Sequence, residues 1–297
     1  MAGKLSTRLG IALLVLLATM FAANHVAARL AFDHGTSVPA AVAVRSGATA
    51  IALLVLLRLL SVSLALPRAT LARGLGIGLL VALQSYCLYS AVALIPVALA
   101  LLAFNTYPMF FSLLSWAVNG ERPSKRAALA MPLALVGLAL ALDVVGTASR
   151  VSGRWGEIGV GVGWALGASV LFTAVLLFTT RYLQEVDGRV RSLLTMGATA
   201  VVVLAAGAAT GSLALPADGP GWLGLALLTL LYGSAITVMF TIVPRLRAAS
   251  NTVALNFEPV AAMLMGWIVL AQAMNATQVL GVFVVVGSLT YLATGKH

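Results

Sequence analysis

The stretch Asn105-Thr106-Tyr107-Pro108, with Trp116 eight residues after its proline, returns 151 residues later as Asn256-Phe257-Glu258-Pro259, with Trp267 eight residues after the second proline. Each copy lies inside a long apolar segment, where a proline costs about 3 kcal/mol in a helix unless something compensates. One such proline is a tolerated kink. Two in register across a repeat imply a matched pair of bent helices around a shared centre.

Composition identifies the solvent around those helices. Hydrophobic residues make up 61% of the chain and charged residues 9%, with a mean hydropathy of +1.06, which excludes a globular domain with a large core and indicates an integral membrane protein. Apolar runs of about 20 residues, the length that spans a bilayer as helix, fall at 9–31, 38–60, 74–94, 97–118, 127–145, 158–180, 191–213, 221–243, 249–271 and 277–294. No strand-length segment alternates with period two, so a barrel is excluded. The expected fold is all-α, with ten transmembrane helices in two five-helix repeats, residues 1–148 and 149–297. Lys4 and Arg8 before the first run resemble a signal-peptide flank. Gly10 and Phe21 nevertheless match Gly161 and Phe172 at the same offset, so the first segment reads as an uncleaved helix.

Basic residues orient the helices. With both termini in the cytoplasm, fourteen of eighteen Lys/Arg fall on that side: Lys4, Arg8, Arg58, Arg68, Arg73, Arg122, Lys125, Arg126, Arg181, Arg189, Arg191, Arg245, Arg247 and Lys296. The net charge of +10 is then topology rather than nucleic-acid affinity. Five helices per half is an odd number, so the second half must enter the membrane from the opposite face. The repeat is therefore inverted, an arrangement suited to alternating access. At 1.5 Å per residue, Pro108 and Pro259 lie roughly 15 Å from their helix starts, near the middle of a core about 30 Å thick. The other eight prolines sit at or near segment ends.

These features resemble the drug/metabolite transporter superfamily in its EamA-like branch. The resemblance runs through Pro108 to Glu121, then Leu135-Val136-Gly137 to Leu140, and again through Asn256 to Trp267 and Val286-Gly287. Arg45 matches an arginine often seen in helix two of that family. Within the branch, the chain is most similar to the YddG-type aromatic amino acid exporters. The resemblance implies a secondary transporter in the cell (inner) membrane, exporting amino acids and related small metabolites, with export of other metabolites or cationic drugs as the alternative.

A cavity for a small zwitterion needs a few polar groups in an apolar, aromatic wall. The intramembrane candidates for substrate binding are Asn24, His25, Gln84, Tyr86, Tyr89, Asn105, Tyr107, Trp164, Asn256 and Glu258, with Pro108 and Pro259 as hinges. Glu258 is the sharpest. A mid-bilayer carboxylate costs about 2.5–3.5 kcal/mol on insertion scales and needs a partner or a proton. It either receives an ammonium group or is protonated and serves packing. His25 reads as a proton-coupling group or as a histidine bonded across helices. Residues two apart do not share a helix face, so Asn105 and Tyr107, like Asn256 and Glu258, face one cavity only if the helix unwinds before its proline. Tyr86 and Tyr89, three apart, can share one. Trp164 is placed on the cavity wall, while Trp116, Trp155, Trp222 and Trp267 form an interfacial belt. Arg45 lines a vestibule or caps carbonyls, and Arg29 with Asp33 forms a helix-end pair.

Several patterns carry less. Gly74-x-Gly76-x-Gly78 has no strand before it and reads as helix packing, and Gly163-x-x-x-Gly167 and Gly207-x-x-x-Gly211 as close crossings. Cys87 is alone, and no Walker A sequence supplies ATP. No metal site or cofactor is expected. Neither His-Glu-x-x-His nor a Gly-x-Ser-x-Gly elbow is present, so an intramembrane enzyme is a distant alternative. The expected partners are a small-molecule substrate and the lipid bilayer, with a monomer sufficient and no nucleic acid.

Overall fold

The computed structural model describes residues 7–120, 125–141, 154–241 and 256–293. Eleven helices lie within these residues: α1 (Thr7–Asp33), α2 (Val38–Leu59), α3 (Arg68–Leu94), α4 (Val97–Phe104), α5 (Tyr107–Asn119), α6 (Lys125–Ala141), α7 (Arg154–Tyr182), α8 (Gly188–Ala209), α9 (Gly219–Thr241), α10 (Glu258–Leu270) and α11 (Ala276–Ala293). Seven spans are long and apolar enough to cross a membrane, one of them combining α4 and α5, and three shorter apolar helices accompany them. Residues 249–255 of the expected ninth segment lie outside the described residues, as do Lys4, Arg122, Arg150, Arg245, Arg247 and Lys296; so do the side chains of Arg8, Arg126, Arg154 and Trp155. Helices α3, α7 and α8 begin three to six residues before their apolar runs, because backbone hydrogen bonding continues past the hydrocarbon core.

Local chemistry sets the helix ends. Ser37 accepts from Ala40 N (3.3 Å) to cap α2, with Pro39 in its first turn. Asp187 caps α8 by accepting from Arg189 N (2.8 Å). Gly120 ends α5 in the left-handed region at φ 74°, and its repeat counterpart Ala271 ends α10 at φ 54°. A glycine takes that conformation freely, whereas an alanine is strained by it.

The helices pack as a two-fold arrangement. Helix α3 packs on α7 as α1 packs on α9, α3 on α8 as α2 on α9, and α4 with α5 on α7 as α10 on α1. Helices α2 and α8, α4 and α10, and α6 and α11 pair across the axis itself. Pro39 lies against Gly207 and Gly47 against Ala200, so α2 and α8 are antiparallel. Gly137 lies against Val285 and Gly281 against Ala141, so α6 and α11 are antiparallel too. Self-paired helices that run antiparallel require an axis across the helices, not along them. That is inversion of one half relative to the other.

Helix α4 sits at the centre with every residue buried. The outer faces carry large apolar side chains such as Leu59, Ile268 and Val201, as lipid contact requires. Gly74 and Gly78 receive α8, where Thr199 Oγ1 donates to Gly78 O (3.2 Å), while Gly76 meets nothing. The reading of Gly163 and Gly167 as a crossing is corrected: a side chain at either would find open space. Gly211 is likewise no crossing residue, but a left-handed turn after α8.

The end of the bundle near His34 is held by polar ties between the halves. His34 Nδ1 and Asp218 Oδ2 are 2.7 Å apart, Ala217 N donates to His34 O (3.0 Å), Ser37 N to Ala214 O (3.0 Å), and Val97 N to Gln272 Oε1 (3.2 Å). Arg29 joins Asp33 (2.8 Å) and also donates to Val92 O (3.2 Å) and Ile95 O (3.3 Å) at the end of α3.

Two outcomes test this packing. Gly281→Ala would drive a methyl into the Gly137 carbonyl and the Ala141 backbone, whereas Gly287→Ala meets open space. The first is expected to lower stability by about 1–3 kcal/mol and the second to change it little, read by thermal unfolding in detergent. Hydrogen bonding to Arg189, foremost, holds the Asp187 carboxyl down at about 2. Its ionised cap therefore contributes above the ordinary carboxylate range and is lost as pH falls toward that value. Asp187→Ala is expected to cost about 1 kcal/mol at neutral pH, with the deficit shrinking in acid.

Candidate substrate-binding site

The site begins with a break in a helix. Pro108 brings no N–H, so the turn before it cannot be hydrogen-bonded as helix, and α4 ends at Phe104 with α5 starting at Tyr107. At membrane depth the freed groups must find partners within the protein. Side chains add bonds around the break: Asn105 Nδ2 donates to Leu101 O (2.8 Å), which also accepts from Asn105 N (2.8 Å), and Thr106 Oγ1 donates to Ala103 O (2.7 Å). Thr173 Oγ1 on α7 donates to Tyr107 O (3.1 Å), one turn from Ser169, whose hydroxyl meets that of Thr106 at 3.3 Å. In the second half, Asn256 and Phe257 form a short 3₁₀ turn, and α10 begins at Glu258 with Pro259 in its first turn.

Beside the first break stand three aromatic rings. Tyr107 and Phe172 meet edge to face at 4.9 Å between centroids, Phe104 and Phe172 at 5.3 Å, and Phe104 and Tyr107 at 5.9 Å. Beside the second break, Glu258 Oε1 lies 3.6 Å from His25 Nε2 of α1, with both side chains largely buried. Phe104 and Phe172 pack in one apolar cluster with Phe257, the neighbour of Glu258, so the aromatic trio and the carboxylate belong to one region.

From His25 a buried polar cluster continues through the first half. The His25 ring lies 5.4 Å from that of Tyr89. Tyr89 donates to Asn24 Oδ1 (3.1 Å), and Arg45 donates to Tyr89 Oη (3.2 Å) and to Ser85 Oγ (3.1 Å). The guanidinium also covers the Tyr232 ring of α9 at 3.8 Å. Arg45 therefore neither lines an open vestibule nor caps carbonyls, the two roles its sequence position suggested.

The candidates named from sequence divide. Asn24, His25, Tyr89 and Glu258 stand in this connected set, with Tyr107 beside it. Asn105 is buried, but its amide is committed to the Leu101 carbonyl. Gln84 is buried next to Ser85, and Asn256 is partly buried at the second break. Tyr86 and Trp164, 40% and 37% exposed, meet edge to face at 6.0 Å away from the cluster. Tyr86 lines a crevice of about 260 Å³ between α2, α3 and α8, on a different face from the 1%-exposed Tyr89. Sequence reasoning missed Ser85, Ser169, Phe172, Thr173 and Tyr232 as partners of the site. Ser169-x-x-x-Thr173 in an apolar helix was the available signal, since hydroxyls four apart share a face. Among the described residues no group of acidic, histidine or cysteine side chains is arranged to hold a metal.

The pattern of the EamA-like transporter family matches residues 8–142 and again 159–294, repeating the 151-residue offset of the two breaks. The chain belongs to the EamA-like transporter family. That membership points to membrane transport of small molecules. An uncharacterized transporter of Synechocystis sp. is 26% identical over 118 residues, which are 40% of this chain and 34% of that protein. The match thus spans about a third of that relative. A crystal structure described without a function superposes over 98% of this chain and 97% of its own, with a TM-score of 0.58 and 21% identity, a likeness of fold alone.

The clasp on the first break is testable in this EamA-like transporter. Thr173→Val removes the donor to Tyr107 O while keeping shape. It is expected to cost about 0.5–1.5 kcal/mol for the lost hydrogen bond in thermal unfolding. Thr180→Val, on the same helix but bonded only to its own exposed turn, is expected to be near neutral.

Proposed function

We propose that this chain is a secondary carrier that exports amino acids, aromatic ones included, and related small metabolites by alternating access. The observation that carries the reading is Glu258: a carboxylate at the start of α10, partnered by a histidine and close to an aromatic trio drawn from both halves. A carboxylate there offers a seat for an ammonium group, and Phe104, Tyr107 and Phe172 offer a wall for an aromatic or aliphatic side chain.

In this reading the ten apolar helices all cross the cell (inner) membrane, both termini are cytoplasmic, and the His34 end faces outward. Polar ties hold that end together, and substrate is taken up from the cytoplasmic side. Pro108 and Pro259 break their helices where the halves meet, and those breaks absorb the change when the bundle reopens. Asn24, His25, Tyr89, Tyr107 and Glu258 contact substrate or shape its seat, with Asn105 and Asn256 supporting the breaks. Each half contributes to one shared site, so a monomer suffices. Export of cationic drugs is the second reading, because Glu258 with an aromatic wall also suits a lipophilic cation.

Purified protein in liposomes, presented with labelled amino acids with and without a pH gradient, tests the proposal. Substrate-dependent flux of phenylalanine or a related amino acid is expected. Glu258→Gln should weaken it roughly 10- to 100-fold, the worth of a hydrogen bond to a charged group. Pro108→Ala and Pro259→Ala should each slow turnover, and full rates in both would remove the hinge role. Flux of a cationic dye with none of any amino acid would put drug export in place of this reading.

A further inference from the structure

We infer that Arg45 is the seat of a carboxylate, and that the carried molecule is held at its two ends: ammonium at Glu258, carboxylate at Arg45. This rests on the amino acid reading above and extends it to a second contact point.

Arg45 is only 2% exposed, and none of the ion pairs among the described residues includes it. Its Nη1 and Nη2 donate to neutral oxygens, those of Tyr89 and Ser85. Its Nε is buried without a partner. A buried cation is normally retained only with an anion to balance it. Two aromatic faces, Tyr232 at 3.8 Å and Tyr89 at 4.9 Å, soften the charge without supplying that anion.

The surroundings repeat the same deficiency. Asn24 is fully buried, and its Oδ1 is taken by the Tyr89 hydroxyl, yet its Nδ2, a donor, is unpartnered. His25 Nδ1 is unpartnered as well. A purely structural brace would have no reason to leave the guanidinium Nε and the amide of Asn24 unbonded, because orphaned buried donors are destabilising. An anion with two or more acceptor oxygens answers both. The forked donors of arginine match a carboxylate in particular.

The placement also suits a zwitterion. Glu258 reaches the cluster through His25, and Arg45 reaches it through Tyr89 and Asn24, so the opposite charges address neighbouring residues of α1 from two sides. A molecule carrying an ammonium and a carboxylate on the same carbon would complete both halves of the cluster at once. A simple amine would complete only one.

Reconstituted full-length protein discriminates the possibilities with two probes of equal side chain, L-phenylalanine and phenethylamine, the second lacking the carboxylate. Arg45→Gln is expected to raise the KM for phenylalanine tenfold or more while leaving phenethylamine transport unchanged or improved. Arg45→Lys should restore part of the phenylalanine affinity. Equal losses for both probes in Arg45→Gln would show a brace and overturn the inference, leaving the amino acid reading intact. Wild-type flux of phenethylamine with none of phenylalanine would overturn both.

Should Arg45→Gln fail to fold, competition on the wild type decides. Phenylalaninamide and phenethylamine should inhibit phenylalanine uptake at least tenfold more weakly than phenylalanine itself, and equal inhibition would overturn the inference. Competitive inhibition by chloride, absent with gluconate, would reveal an inorganic anion as the resident guest and would also overturn it.

Discussion

Everything in this molecule depends on the rule that a backbone amide or carbonyl within the hydrocarbon core must be bonded inside the protein. A helix obeys it automatically until a proline intervenes. Around Pro108 side chains reinforce the backbone bonds: Asn105 and Thr106 bond back along α4, and Thr173 reaches over from α7. The break is thus a built feature, and it sets the aromatic trio of Phe104, Tyr107 and Phe172 against the centre of the bundle.

The start of α10 is built differently, and the contrast follows the repeat. The positions corresponding to Ser169 and Thr173 are Ala18 and Ala22, so α1 offers no hydroxyl clasp to α10. Where the first half has Tyr107, the second has Glu258, and where α7 has Leu176, α1 has His25. Arg45 corresponds to Met196, whose sulfur receives the Tyr232 hydroxyl at 3.6 Å. Architecture is shared between the halves, while the polar chemistry is gathered on one side of the axis. The scaffold is symmetric, and the polar cluster it carries is not.

The doubled Asn-x-x-Pro made the repeat and the break at Pro108 legible in the sequence, because a proline inside an apolar run has few physical explanations. The partners of Arg45 were not legible. They depend on how α2 is rotated against α3 and α9, and helices apolar on all sides encode no preferred face in their periodicity. For the same reason Tyr86 and Tyr89, three residues apart, separate into a lateral crevice and a buried cluster. Trp164 illustrates a further limit: an aromatic residue deep in a span suits lipid as well as a cavity. The expectation of close crossings at Gly163 and Gly167 failed because a small residue permits contact but does not create it.

The ties at the His34 end and the contact between α6 and α11 differ in what replaces them when they part. Water can take over each bond among His34, Asp218, Ser37 and Gln272, at a net cost of about 0.5–1.5 kcal/mol apiece. Nothing replaces the backbone contact of Gly281 with Gly137 and Ala141, which is dry, close and shared between the halves on their common axis. The first behaves like a zip and the second like an axle. Motion that unzips one end can leave the axle seated, so that end can part without the halves coming apart.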